Sequence, residues 1–124
     1  EGPQVIDFLL RSLDYLEAPG GYNPSSVHPR NPGWAQLANA HLLREPTCQA
    51  CGGTSILQVH HIWPFWLRPD LEMDPGCLIT LCMAPRRYCH LVWGHAYLWK
   101  RYVANVRQLL INWRMEVQLA QERD

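Results

Sequence analysis

A small α+β domain, with helices on either side of a short two-stranded sheet, is predicted by three features of this chain. Cysteines stand in pairs at Cys48 and Cys51 and at Cys82 and Cys89, a pattern that draws two distant segments onto one metal ion. Between the pairs, two short apolar runs flank a stretch broken by Pro64, Pro69 and Pro75. Outside them, apolar residues recur at helical spacing at both ends of the chain. At 124 residues this is one domain with extensions, able to bury a moderate core and helped by a metal staple.

Each element follows from its local chemistry. Residues 3–17 carry Val5, Ile6, Leu9, Leu10, Leu13 and Leu16 at helical spacing, and Pro19-Gly20-Gly21 ends that helix. Residues 21–32 read as a turn-rich loop. A second helix over 34–44 places Leu37, Leu42 and Leu43 near one side and stops at Pro46, just ahead of the first cysteine pair. Residues 55–62 intersperse β-branched residues and end at the pair His60-His61, which predicts a strand. The prolines make 63–76 a loop, and 78–81 is the second strand. A helix over 90–99 and a long C-terminal helix over 102–123, with Val103, Val106, Leu109, Leu110, Trp113 and Val117, complete the order.

The bulk composition narrows the class. No 18-residue apolar run and no secretory signal is present, so a soluble, intracellular protein with no membrane partner is expected. Net charge is zero, which argues mildly against a nucleic-acid partner. Its distribution argues the other way, because residues 75–115 contain no Asp or Glu but hold Arg86, Arg87, Lys100, Arg101, Arg107 and Arg114. The competing reading is that such arginines solvate a helix face. Aromatic residues around the cysteines and histidines (Trp63, Phe65, Trp66, Trp93, Tyr97, Trp99, Tyr102) suit core packing more than base stacking.

In a reducing compartment, C-x-x-C spacing reads as metal ligation rather than disulfides. Cys48, Cys51, Cys82 and Cys89 form the expected structural Zn2+ set, with Cys77 a rival ligand. Four thiolates close a tetrahedral zinc site, which holds a fold and does no chemistry. His60, His61, His90 and His95 are then left for a second, open metal or for general base work. Against this stand ordinary buried thiols and a strand-end histidine pair bonded to backbone. A redox dithiol would want its C-x-x-C at a helix start.

The motifs C-x-x-C-G at 48–52, V-H-H-I-x-P-F at 59–65, D-P-x-x-L-I-T-L-C at 74–82 and C-H-x-x-x-G-H at 89–95 resemble the HNH endonuclease family, in its zinc-knuckle branch. The resemblance runs over residues 32–106 and divides the chain into an N-terminal extension (1–30), the nuclease domain (31–106) and a C-terminal helical extension (107–124). It implies a ββα-metal core in which two strands and a helix clamp one catalytic ion while the knuckle pins them from behind. It implies metal-dependent hydrolysis of duplex DNA, with His61 as general base and His60 and His90 as ligands of a catalytic divalent cation (Mg2+, Mn2+, Co2+, Ni2+ or Zn2+). His95, five residues past His90, lies off the best helical face for sharing that ion and either assists at phosphate or packs. Arg86, Arg87, Lys100 and Arg101 are the expected phosphate contacts.

Two departures from the family pattern stand out. Six residues separate Cys82 from Cys89 where the family usually has two, an insertion expected to loop out at Pro85. Cys77 occupies the position of an Asn that ties the loop to the base histidine, and a thiol is a poor donor and acceptor. The alternative to a nuclease is therefore a weakened or inactive zinc-knuckle module that binds DNA or a protein. The terminal helices offer apolar faces through which two copies can pair.

Overall fold

The computed structural model describes residues 16–17 and 29–123. In chain order these form β1 (Leu16–Glu17), α1 (Trp34–Arg44), β2 (Leu57–His61), β3 (Leu78–Cys82), a π-helical turn (His90–Gly94), β4 (Arg101–Tyr102) and α2 (Val106–Arg123). β2 pairs antiparallel with β3, with His60 opposite Ile79 and His61 opposite Leu78. β1 pairs antiparallel with β4 in a separate two-residue ribbon. The class is mixed α+β, as the sequence predicts.

β3 is the centre of the molecule. All five of its residues, Leu-Ile-Thr-Leu-Cys, are buried, and such a continuous apolar run is what a strand covered on both faces requires. β2 is half-exposed and alternates, with His60 its one fully buried residue. The core joins Ile79 and Leu81 to Trp93, Val103, Val106, Leu109 and Leu110, so α2 and the π-turn share one apolar cluster with the strand.

α1 starts where Asn31 turns the chain: its side chain accepts from Gly33 N–H at 2.8 Å and its carbonyl from Trp34 N–H at 3.1 Å. The helix buries His41 rather than the three leucines expected, and Leu43 faces solvent. The reason is Glu45 at its end. That carboxylate accepts from His41 Nε2 (3.0 Å), from the Thr80 N–H on the free edge of β3 (2.8 Å), and from both terminal nitrogens of Arg107 in α2 (3.0 and 3.2 Å). Glu45 thus ties α1, β3 and α2 together, and Arg107 is spent on this junction.

Three expected elements differ. Of the helix expected over 3–17, residues 3–15 lie outside those described, and Leu16 and Glu17 are strand, paired with Tyr102 and Arg101. The helix expected over 90–99 is one π-turn, after which Ala96 and Tyr97 adopt φ of 47° and 73° and cannot continue a right-handed helix. The C-terminal helix begins at Val106 rather than 102, because Arg101 and Tyr102 are taken by the ribbon. Among the described residues no helix is long and apolar enough to cross a membrane.

Candidate metal centres and the histidine cleft

Cys48, Cys51, Cys82 and Cys89 converge, their sulfurs all within 4.8 Å of one another. The first pair sits on a tight knuckle. Cys48 N–H donates to Gly53 O at 2.8 Å, Gly52 N–H to Cys48 O at 2.8 Å, and Gly53 N–H to Cys51 Sγ at 3.4 Å. Gly52 has φ of 77°, which explains the glycine of C-x-x-C-G. Cys82 ends β3 and Cys89 precedes the π-turn.

The residues between them loop out through a turn in which Arg87 and Tyr88 N–H donate to Ala84 O, with positive φ at Arg86 and Tyr88. The six-residue spacer therefore leaves both sulfurs in place.

The sulfurs fit a zinc ion. Cys51 and Cys82 Sγ are 3.7 Å apart, and zinc–thiolate bonds of about 2.3 Å in a tetrahedron put sulfurs about 3.8 Å apart. The protonation of the group points the same way. A hydrogen bond from Cys89 pulls the Cys48 thiol well below its usual range, and the same bond, with burial, pushes Cys89 up. A divalent cation would hold all four sulfurs as thiolates. Cys77 is not in this group. Its sulfur accepts from Trp63 N–H at 3.3 Å, its thiol donates to Trp63 O at 3.7 Å, and burial keeps it protonated.

The second cluster is built on β2 and the π-turn. His60, His90 and His95 each bring one ring nitrogen within 4.8 Å of the others, and all three are tied into the fold. His90 Nδ1–H donates to Gln58 Oε1 and His95 Nδ1–H to Arg101 O, each at 2.8 Å. Those bonds fix the tautomers, leaving a lone pair on the inward Nε2 of each ring. His60 Nδ1 lies 2.9 Å from His90 Nε2, and His60 Nε2 is buried with no hydrogen-bond partner among the described residues.

Burial, then the neighbouring His90, His95 and His61, hold His60 well below its usual pKa. Burial, then His95, brings His90 to about 4. Burial also lowers His95, against the carbonyls of Arg101 and Trp99. Three neutral imidazoles with converging lone pairs, one nitrogen unsatisfied, suit a borderline transition-metal ion.

His95 joins the cluster because the turn is π-helical. At α-helical pitch a residue five positions on points elsewhere, whereas i→i+5 winding stacks it on the same side. Gly94 lets the turn approach closely at the same point: a Cβ there would lie 3.1–3.2 Å from the His60 ring, tighter than an ordinary contact.

His61 projects from the last residue of β2, where the alternation of the strand ends, so it reaches the cleft that His60 also lines. Its Nε2–H donates to Glu72 O at 3.0 Å and its ring packs on Trp34 at 4.3 Å between centroids, which leaves Nδ1 with its lone pair. Burial lowers its pKa, opposed by the Glu72 carbonyl and assisted by Arg30. The cleft, about 280 Å³, is lined by His60, His61, His90 and His95 with Arg30, Phe65, Trp66 and Trp99.

None of the four residues expected at phosphate lines this cleft. Arg86 and Arg87 line a different cavity, of about 560 Å³, behind the knuckle, and Arg87 is hydrogen-bonded to Cys51. Arg101 donates to Ala96 O at 2.9 Å and braces the turn after His95, and Lys100 is exposed and partnered. In their place the cleft holds Arg30, and Glu72 and Gln58 orient its histidines, residues that no motif marks. Glu72 could have been suspected only as an acid in a loop that must fold back on the histidine pair.

Fold and site together define a small α+β domain with one four-sulfur cluster and one cluster of three imidazoles, both able to hold a metal. No family model, no curated protein and no solved structure matches the chain.

Proposed function

We propose that this chain is a metal-dependent endonuclease of the HNH type, hydrolysing phosphodiester bonds of duplex DNA, with a zinc knuckle formed by Cys48, Cys51, Cys82 and Cys89. One observation carries the reading: His61, with Nε2 pinned and Nδ1 without a partner among the described residues, opens into the same cleft as the three-imidazole cluster. The order strand, loop, strand, helical turn around that cleft agrees with the ββα-metal arrangement implied by the sequence motifs.

His61 Nδ1 takes a proton from water as the water oxygen attacks phosphorus, and the bond from phosphorus to the 3′ oxygen breaks. His61 suits this step because its lowered pKa keeps it neutral at pH 7. His60, His90 and His95 would hold a divalent ion, which when bound would supply Lewis-acid stabilisation of the departing oxygen. Gln58 and the Arg101 carbonyl keep two of those rings turned inward, and the Glu72 carbonyl keeps His61 from rotating. Cys77 holds Trp63, two residues past the base, by its sulfur.

The second reading is a zinc-knuckle module without catalysis, favoured by zero net charge and by a thiol at Cys77. Plasmid nicking with Mg2+, Mn2+, Co2+, Ni2+, Zn2+ or EDTA separates the two. Nicking that needs metal and falls about 10²–10⁴-fold in a folded His61→Ala variant is the expected result. Absence of nicking by folded, zinc-loaded wild type and Cys77→Asn alike would leave the binding module.

A further inference from the structure

We propose that Arg30 is a phosphate-binding residue of the histidine cleft, holding a non-bridging oxygen of the DNA backbone beside His61; this rests on the nuclease reading above.

The guanidinium is held on three sides. Its Nε donates to Glu72 Oε2, and its plane lies over Phe65, 4.5 Å from the ring centroid, with Trp34 5.6 Å away. Among the described residues its two terminal nitrogens have no protein partner, and the side chain is half-exposed where it borders the cleft. That end of a guanidinium offers parallel N–H groups with the spacing of two phosphate oxygens. Glu72 is buried at 4 % exposure, and burying a carboxylate for a half-exposed cation is a poor source of stability. The pair makes better sense as a device that aims the cation.

Glu72 acts on both partners at once. Its carboxylate takes Arg30 Nε and, at 2.9 Å, Asn31 N–H, while its carbonyl takes His61 Nε2–H at 3.0 Å. Trp34 adds a shared wall, packing on His61 and facing Arg30. The anion site and the base are therefore set at a fixed offset by one residue and one indole. Asp70, the other acid on this side of Arg30, is occupied by Arg68 through bonds of 3.0 and 2.9 Å and does not compete.

Binding without cleavage tests this directly. Full-length protein carrying His61→Ala is titrated with a short fluorescent DNA duplex between about 50 and 200 mM salt, alone and with Arg30→Gln, Arg30→Lys or, as a remote control, Arg123→Gln. Arg30→Gln should make the slope of log K against log salt shallower by about 0.9, the loss of one phosphate contact, and weaken binding about tenfold. Arg30→Lys should keep the slope and lose part of the affinity, because charge remains without the fork. Arg123→Gln should change neither.

A pure staple between Arg30 and Glu72 would instead lower the melting temperature of both Arg30 variants and leave slope and affinity unchanged, which overturns the assignment while the nuclease reading stands. Failure of the parent protein to bind the duplex overturns both.

Discussion

The sulfur cluster and the histidine cluster are built from the same materials in opposite ways. The knuckle gathers four donors of one kind, three of them buried, and spends them all on a single closed shell. The histidine cluster gathers three donors, anchors two of them from behind with Gln58 and Arg101, and opens on a cleft where His61 waits outside the shell. A closed shell stabilises and does nothing else, whereas an open one leaves a coordination position for chemistry. On the proposed reading, donor count and access, more than donor identity, divide scaffold from site in this domain.

The largest effect that can break this contrast is loss of a knuckle ligand. Cys82→Ser should release the structural zinc, whose binding is worth on the order of 10 kcal/mol of folding free energy, as much as a whole domain's stability. Far-UV circular dichroism and the zinc-to-protein ratio should show an unfolded, zinc-poor chain. His90→Ala should instead stay folded, shift stability by about 1–2 kcal/mol, and cut nicking at least about a hundredfold. Equal unfolding by both variants would erase the division between scaffold and site.

The pH profile sharpens the comparison next. Burial lowers the His61 pKa below 6.5, so the proposed base keeps its lone pair as pH falls past that value and loses it only further down. The acid limb of kcat/KM is therefore expected below pH 6.5, measured on a supercoiled plasmid at saturating metal. A limb above pH 6.5 would mean the cleft stabilises the charged ring, contrary to its burial.

The smallest effect concerns the residue between the two regions. Cys77→Ala removes the acceptor of Trp63 N–H and should cost about 1–2 kcal/mol in urea unfolding. Nicking should fall only a few-fold, because His61 is held by the Glu72 carbonyl and not by the thiol.

The sequence disclosed what local spacing controls. The prolines bounded β2 and β3 to within two residues, and paired cysteines named the sulfur cluster despite the insertion, which the turn at Ala84–Tyr88 absorbs. Contacts between distant segments were hidden. Nothing near Arg101 announces that it pairs with Glu17, and nothing near Arg30 announces that Glu72 will hold it. A periodicity of 3.6 puts His95 off the His90 face, but the backbone there winds wider and brings it into the cluster. The arginine that lines the cleft, Arg30, lies outside every motif.

The π-turn has a consequence for how this chain can vary. Such a turn is an α-helical turn carrying one surplus residue, so the reach of His95 toward His60 is written in the number of residues and not in their kinds. Deleting one residue between His90 and Gly94 would return the turn to α pitch with His95 four positions past His90, again on one face, whereas one more residue would carry it round the axis. The loop between Cys82 and Cys89 carries no such constraint, since its length bulges outward from fixed ends. The Cys82–Cys89 segment can change length without moving its sulfurs, whereas the segment from His90 to His95 is confined to spacings that keep both rings on one side.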